Sequence, residues 1–235
     1  MTRPVIGVTG GRGRGRFSWL CAAFSLRLHG ARAVRITAAR DARHPHFDPA
    51  VVGGLDGLVI GGGDDIGATI YGAEPTPDVR LDPARDALEL AALEAVWDTP
   101  IPILGICRGS QMLNIFAGGN LHQDIYTAFE EVPRIHTPLP RKHVTLEPGT
   151  RLERIIGAGT VTVNALHHQS VDRLGDGFTV AARDEFGIVQ ATEHQGPVFR
   201  IGVQWHPEFL FYRRAHRRLF AALVQAAGTY AERME

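Results

Sequence analysis

The chain of 235 residues is poor in cysteine and carries no net charge. Its two cysteines, Cys21 and Cys107, are too few for a disulfide framework, so we expect reduced thiols and a cytoplasmic location. Basic and acidic residues number 25 each, which gives a formal net charge of zero with histidine neutral. Because a nucleic-acid-binding protein normally carries a basic excess, we expect no nucleic-acid partner.

Long apolar segments are also absent from the sequence. No run of 18 apolar residues occurs, and the N-terminus has no apolar core of a signal peptide, so we expect no membrane span and no secretion. Apolar residues make up 44% and charged residues 21% of the chain, as in ordinary globular proteins. The length suits one large α/β domain, and we expect residues 1–235 to form it.

The first half of the chain alternates between short apolar strands and helices. Strands are predicted at 5–8, 33–36, 55–60 and 101–106, and helices at 18–29, 83–97 and 108–116. Leu20, Phe24 and Leu28 supply the apolar spacing of the first helix. Asp82 is a candidate N-cap for the second helix, with Pro83 as its first residue.

The second half is predicted to consist of closely spaced strands followed by a helix. The strands are expected at 144–146, 160–163, 178–181, 188–192 and 198–203, and the helix at 213–227. This order of elements predicts a flavodoxin-like, three-layer α/β/α fold with a central mixed, mostly parallel sheet.

Cys107 lies between a predicted buried strand and a predicted helix, in the pattern Gly-x-Cys-x-Gly. This is the thiol counterpart of a nucleophile elbow, a sharp turn that needs glycine on both sides and lifts the nucleophile out of the sheet. N–H groups at the following helix N-terminus favour a thiolate, and the N–H of Arg108 points to where an oxyanion would form. The alternative is an inert cysteine of the core.

His206 and Glu208 can supply the base and its orienting carboxylate. The two residues are two positions apart, and Pro207 favours extended backbone at His206, which puts both side chains on one side. Taken alone, this segment is equally compatible with an ordinary surface turn. Together with the cysteine elbow it completes the three roles of a nucleophile, a base and an orienter.

Three further segments are candidates for parts of a site. The glycines at 61–63 follow a strand and are interpreted as either a second oxyanion donor or a plain tight turn. His167 and His168 follow another strand, but no further ligand pattern completes a metal site, so a substrate contact or a buried core histidine is favoured. The arginines and glycines at 12–16 predict a solvated loop near the mouth of a site.

Several of these segments resemble a known family. The segments GICRGSQ at 105–111 and GVQWHPE at 202–208 resemble the class I glutamine amidotransferase-like superfamily. Within it, the segments at 70–72, 118–125, 143–149 and 163–171 resemble the gamma-glutamyl-gamma-aminobutyrate hydrolases. The resemblance implies a catalytic triad of Cys107, His206 and Glu208. It implies an oxyanion hole made of the N–H groups of Gly63 and Arg108. It also implies a substrate pocket that includes Gln111, His168 and Gln169.

The resemblance also implies an activity. We expect an enzyme that hydrolyses a small gamma-glutamyl amide through a glutamyl thioester, without cofactor or metal, in a chain that forms a homodimer. One alternative is a glutaminase subunit that supplies ammonia to a separate synthase, and another is a non-catalytic binding protein. The glycine loop reads GGGDDIGA at 61–68, where such hydrolases usually have Pro-Gly-Gly-Pro-Asp-x-Asp-Pro, so the leaving amine stays open.

Overall fold

The structure is a computed structural model that describes residues 3–11, 15–38, 52–75, 80–129, 131–157 and 159–234. Predictions for residues 12–14 of the arginine-glycine loop therefore lie outside the described residues. Within the described ranges, no helix has both the length and the apolar character needed to cross a lipid bilayer.

Strands and helices alternate in the first half, and strands dominate the second. The strands are β1 (Val5–Thr9), β2 (Arg32–Ile36), β3 (Gly57–Ile60), β4 (Ile103–Ile106), β5 (Leu121–His122), β6 (Thr137–Leu146), β7 (Thr160–Ala165), β8 (Ser170–Val171), β9 (Phe178–Asp184), β10 (Val189–His194) and β11 (Arg200–Val203). The helices are α1 (Arg16–Leu28), α2 (Pro83–Trp97), α3 (Arg108–Phe116), α4 (Ile125–Ala128), α5 (Arg151–Ile156) and α6 (Arg214–Met234). Short 3-10 turns span Ala68–Tyr71 and Pro207–Leu210.

One mixed sheet organises the described part of the chain, in the order β2-β1-β3-β4-β11-β10-β9-β6-β7. The five strands from β2 to β11 run parallel, whereas β10, β9, β6 and β7 each pair antiparallel with their neighbours. Strands β3, β4 and β11 therefore end at the same edge of the sheet, which is where ligands bind in folds of this kind.

Helices cover both faces of this sheet. Leu26 of α1 and Leu223 of α6 belong to the apolar core on one face, together with Leu152 of α5. Leu93 of α2 and Met112 of α3 belong to the core on the other face. The predicted α/β class with a three-layer arrangement and a mixed central sheet is thus confirmed.

The predicted buried face of the first helix is wrong. Leu20, Phe24 and Leu28 are about half exposed, and the sheet instead receives the face that carries Ala23 and Leu26. Apolar residues surround α1 on more than one side, so spacing does not single out the inward face. The small alanine side chains let the helix backbone lie close to the sheet.

Some element boundaries also differ from the prediction. Strand β6 begins at Thr137 and not at residue 144, although Pro138 and Pro140 lie within it. A register shift between Thr137 and Lys142 separates this proline-containing part from the regular ladder with β7. Helix α6 continues past Gly228 to Met234, because one glycine costs a helix only about 1 kcal/mol.

Candidate active site

The turn from β4 to α3 has the geometry of a nucleophile elbow at Cys107. This residue has φ 52° and ψ −107°, and it is the one residue other than glycine with a positive φ among those the structure describes. Such a backbone conformation costs about 1–3 kcal/mol and is typical of functional positions. A Cβ at Gly109 would lie less than 3.0 Å from the carbonyl oxygen of Ile60, so the turn requires glycine there.

His206 and Glu208 form a direct ion pair beside Cys107. The distance between His206 Nδ1 and Glu208 Oε1 is 2.7 Å, and both side chains are almost fully buried. Burial alone would lower the pKa of His206, but the Glu208 carboxylate and the Cys107 thiol raise it well above 6.5. Glu208 belongs to a 3-10 turn rather than to extended backbone, so the predicted contact forms through a different local geometry.

The backbone and ring of His206 are fixed by neighbouring side chains. Asn164 donates from Nδ2 to the carbonyl oxygen of His206 at 3.0 Å and accepts from its N–H at 2.8 Å. The ring of Phe209 stacks on the imidazole, with centroids 4.9 Å apart and an interplanar angle of 8°. The second imidazole nitrogen is thereby oriented while Nδ1 contacts the carboxylate.

The glycine loop after β3 fits closely against two of these side chains. A Cβ at Gly62 would lie less than 3.0 Å from Cε1 of His206, and a Cβ at Gly63 would lie equally close to Nη1 of Arg85. A side chain at position 62 would therefore overlap the His206 ring, and one at position 63 would have to displace the Arg85 guanidinium. Gly63 and Cys107 line the same cavity, as an oxyanion donor and a nucleophile would have to do.

Four charged side chains form a buried cluster behind the elbow, which we call the α2 charge cluster: Arg85, Asp86, Glu89 and Arg108. Arg108 pairs with Asp86 and with Glu89, and Arg85 Nε donates to Glu89 Oε1 at 2.8 Å. Burial would raise the pKa of Glu89, but Arg108 and Arg85 lower it below its ordinary value. The two positive and two negative charges thus compensate each other in a region that is buried from solvent.

The α2 charge cluster connects the loops that surround Cys107. Thr9 at the end of β1 donates from Oγ1 to Glu89 at 2.6 Å, and Arg85 Nη2 donates to the carbonyl oxygen of Gly61 at 2.7 Å. The backbone N–H of Arg108 is the other candidate oxyanion donor. The Arg108 side chain pairs with Asp86 and Glu89 of α2, the helix that also carries Arg85. The cluster therefore fixes the glycine loop and the elbow relative to each other.

Two of the predicted substrate residues, Gln111 and Gln169, are connected to Cys107 through Gln204, whereas His168 contacts Asp65. Gln111 Nε2 donates to the carbonyl oxygen of Gln169 at 3.0 Å and to the side-chain oxygen of Gln204 at 3.1 Å. Gln204 Nε2 in turn donates to Cys107 Sγ at 3.5 Å. His168 is half exposed, 3.4 Å from Asp65 Oδ1. A direct contact of Gln111, His168 or Gln169 with substrate stays a prediction.

His167, which directly precedes His168, is a buried histidine. Its Nδ1 lies 2.9 Å from the carbonyl oxygen of Gln169, and burial lowers the pKa of His167 to about 3. Across the described residues, no group of three or more histidine, cysteine or carboxylate side chains has the arrangement of a metal site.

One cavity of about 620 Å³ opens directly onto Cys107 and His206. Its lining combines glycines of two loops with charged and aromatic side chains: Gly11, Gly15, Ser18, Gly62, Gly63, Asp64, Asp82, Arg85, His136, Leu166 and Phe209. This volume is ample for a small dipeptide-like molecule. Gly15, at the end of the predicted arginine-glycine loop, lies at this cavity, as expected for a loop near the mouth of a site.

Sequence reasoning missed Asn164, Gln204 and the acidic members of the α2 charge cluster. Their contacts join residues that are tens of positions apart, such as Asn164 with His206. A local signal existed for one pair, because Arg85 and Glu89 have the i, i+4 spacing of an ion pair on a helix. That spacing predicts the pair and gives no indication that it is buried.

The fold and the site define a class of protein: an α/β protein of the class I glutamine amidotransferase type, with a cysteine elbow beside a histidine–glutamate pair. The chain belongs to the Peptidase C26 family, whose model matches residues 4–208.

Curated relatives carry two kinds of name. "Putative glutamine amidotransferase Rv2859c" from Mycobacterium tuberculosis is 41% identical over 196 residues, which cover 79% of this chain and 61% of that protein. Gamma-glutamyl-gamma-aminobutyrate hydrolase PuuD from Escherichia coli is 33% identical over 165 residues, which cover 66% of this chain and 65% of that protein. The chain thus spans less than two thirds of the length of these relatives.

Solved structures share the fold over nearly the whole chain. The glutaminase domain of Trypanosoma brucei CTPS with bound acivicin superposes with a TM-score of 0.69 at 17% identity. The match covers 96% of this chain and 94% of that one. At this identity, the likeness concerns the fold alone.

Proposed function

We propose that this protein hydrolyses the gamma-glutamyl amide bond of a small gamma-glutamyl amine, with Cys107 as the nucleophile. The observation that carries the proposal is the strained backbone of Cys107 at the β4–α3 turn, beside the His206–Glu208 ion pair and open to a cavity. A cysteine with only a packing role has no need of a positive φ. The name of the relative PuuD supports gamma-glutamyl-gamma-aminobutyrate as the first substrate to test.

In the proposed acylation, Cys107 Sγ forms a bond to the gamma-carbonyl carbon. The carbonyl oxygen becomes an oxyanion that accepts from the N–H groups of Gly63 and Arg108. His206 gives its proton to the amide nitrogen, the C–N bond breaks, and the amine leaves. The raised pKa of His206 keeps the imidazolium available for this proton transfer near neutral pH.

In the proposed deacylation, water replaces the departed amine. His206, now neutral, accepts a proton from the water as its oxygen attacks the thioester carbon. The C–S bond breaks, glutamate leaves, and the Cys107–His206 pair returns to its starting state. Glu208 keeps the imidazole oriented and balances its charge in both half-reactions.

A product assay on matched gamma-glutamyl compounds tests the proposal. Glutamate release is measured from gamma-glutamyl-gamma-aminobutyrate and from glutamine, with Cys107→Ala as the control. We expect release from the first compound only, and at least a 1,000-fold loss in the variant. Equal turnover by Cys107→Ala, in a protein that unfolds at the same temperature, would exclude Cys107 as the nucleophile.

A second candidate function is a glutaminase subunit that supplies ammonia to a separate synthase. The 41% identical relative named as a glutamine amidotransferase favours it. Turnover of glutamine alone, accelerated by a protein that co-purifies with this chain, would support this function over the first one.

A further inference from the structure

Arg85 is a buried cation whose guanidinium has one amino group without a partner among the residues that the structure describes. Its side chain is 3% exposed. Nε donates to Glu89 and Nη2 donates to the carbonyl oxygen of Gly61, so the guanidinium plane is fixed at two points. Among the described residues, Nη1 has no hydrogen-bond acceptor or ion-pair partner. Unlike Nε of Arg108, Nη1 of Arg85 is not fully enclosed, so this end of the otherwise buried guanidinium is accessible to a ligand.

Nη1 lies at the wall of the cavity that contains Cys107. It occupies the space that a side chain at Gly63 would need, and it lies 3.7 Å from where a Cβ of Gly11 would be. Gly11, Gly63 and Arg85 all line this cavity. The free edge of the guanidinium is therefore next to the candidate oxyanion donor, and a side chain at position 63 would have to displace it.

The charge of the cavity wall suits a ligand with both signs. Arg85 contributes the cation, and Asp64 and Asp82 contribute carboxylates. Asp82 Oδ1 already caps α2 by accepting from the N–H of Arg85 at 3.2 Å, and Asp64 is exposed to solvent. A gamma-glutamyl compound carries an ammonium group and at least one carboxylate, so it matches this distribution.

We propose that Arg85 Nη1 binds a carboxylate of the substrate and so determines which amides are cleaved. The inference rests on the proposed function. A planar guanidinium fixed at two points presents its remaining N–H groups in one direction, which is the arrangement that suits a carboxylate. The carboxylate has two possible sources: the α-carboxylate of the glutamyl group, or a carboxylate on the leaving amine, as in gamma-aminobutyrate.

Steady-state kinetics of Arg85→Gln and Arg85→Lys distinguish these sources. The substrates are gamma-glutamyl-gamma-aminobutyrate, gamma-glutamyl-butylamine and 4-aminobutanoyl-butylamide, which carry two, one and no carboxylates. We expect Arg85→Gln to raise KM about ten- to a hundredfold for carboxylate-bearing substrates. Arg85→Lys, which keeps the charge, should recover part of the loss. Arg217→Gln, on the exposed side of α6, is the matched control.

Each outcome has a definite meaning. A rise in KM for both gamma-glutamyl substrates assigns Arg85 to the glutamyl α-carboxylate, and a rise for the first alone assigns it to the leaving amine. An unchanged KM, or a fall in kcat of equal size for all three substrates, overturns the proposal. The last result would indicate a purely structural or oxyanion-stabilising role.

Calorimetry on the Cys107→Ala protein, with Arg85 intact, measures ligand binding directly. It therefore tests the proposal even if the Arg85 variants fail to fold or the protein cleaves no gamma-glutamyl compound. Glutamate is compared with its α-amide, and gamma-aminobutyrate with butylamine. Tighter binding of the carboxylate member of either pair supports the proposal. Equal binding or no binding within both pairs overturns it, whatever the assay of the proposed function shows.

Discussion

At the scale of single residues, Gly62 decides whether the His206 imidazole can occupy its position. We predict that Gly62→Ala lowers kcat about 100-fold, because the new Cβ would overlap Cε1 of His206 and displace the ring by a fraction of an ångström or more. Turnover of the gamma-glutamyl substrate and thermal unfolding measure the two effects separately. Gly54→Ala is the control, since a Cβ there meets nothing within 4 Å. Full activity of Gly62→Ala would contradict the close fit.

Glu208 is predicted to set the alkaline limit of activity. Because this carboxylate holds the pKa of His206 well above 6.5, the imidazolium that protonates the leaving amine persists into the alkaline range. In Glu208→Gln the pKa of His206 falls, and the alkaline limb of kcat/KM should move to lower pH. Glu147→Gln, whose carboxylate is about half exposed and faces Arg183, provides a carboxylate control. Identical pH profiles for wild type and Glu208→Gln would show that Glu208 does not tune the base.

At the scale of elements, helix α1 offers two leucines with opposite environments. Leu26 is 0% exposed in the core, whereas Leu20 is 50% exposed. We predict that Leu26→Ala lowers the free energy of unfolding by about 2–5 kcal/mol, and Leu20→Ala by less than about 0.5 kcal/mol. Urea unfolding of both variants gives the comparison. A larger loss of unfolding free energy in Leu20→Ala than in Leu26→Ala would mean that the face predicted from apolar spacing packs against the sheet.

The two faces of α1 and the Cys107 elbow show what the sequence can and cannot predict at the scale of elements. The Cys107 turn is encoded by glycines within two positions of the cysteine, so a local pattern was sufficient. The inward face of α1 depends on which apolar stripe meets the sheet, and Leu20 and Leu26 are equally apolar. The choice is made by close packing of the backbone, which no local pattern encodes.

At the scale of the whole molecule, the order of strands and helices predicts the three-layer class and the mixed sheet, but it does not predict the polar interior. Thr9 and Glu89 are 80 positions apart, and their hydrogen bond exists only because β1 and α2 are neighbours in the fold. The single domain and the homodimer stay predictions. The buried titratable groups nevertheless have a consequence for the entire chain, because protonation of a group whose pKa differs between the folded and unfolded states is linked to unfolding.

Two buried histidines are predicted to make the folded state sensitive to acid. Burial lowers the pKa of His167 to about 3 and that of His216 to about 4, against 6.5 in the unfolded chain. Below pH 6.5 the unfolded state therefore binds more protons. The free energy of unfolding should fall by about 1.4 kcal/mol per pH unit for each histidine as the pH falls toward 4. His206 has a raised pKa, so its contribution is complete below pH 6.5 and is lost only at higher pH.

Urea unfolding between pH 7 and pH 4 tests this acid sensitivity. His216 lies against Trp205, and its Nε2 is 3.2 Å from the carbonyl oxygen of Thr162. His216→Gln places its side-chain amide near the position of Nε2 and removes the titrating group, so the slope of the unfolding free energy against pH should decrease by about 1.4 kcal/mol per pH unit. His143→Gln, at an exposed position of β6, is the matched histidine control. Because the comparison uses slopes, a loss of packing in His216→Gln would shift the whole curve and would not change its slope. An unaltered slope would mean that the pKa of His216 does not differ between the folded and unfolded states.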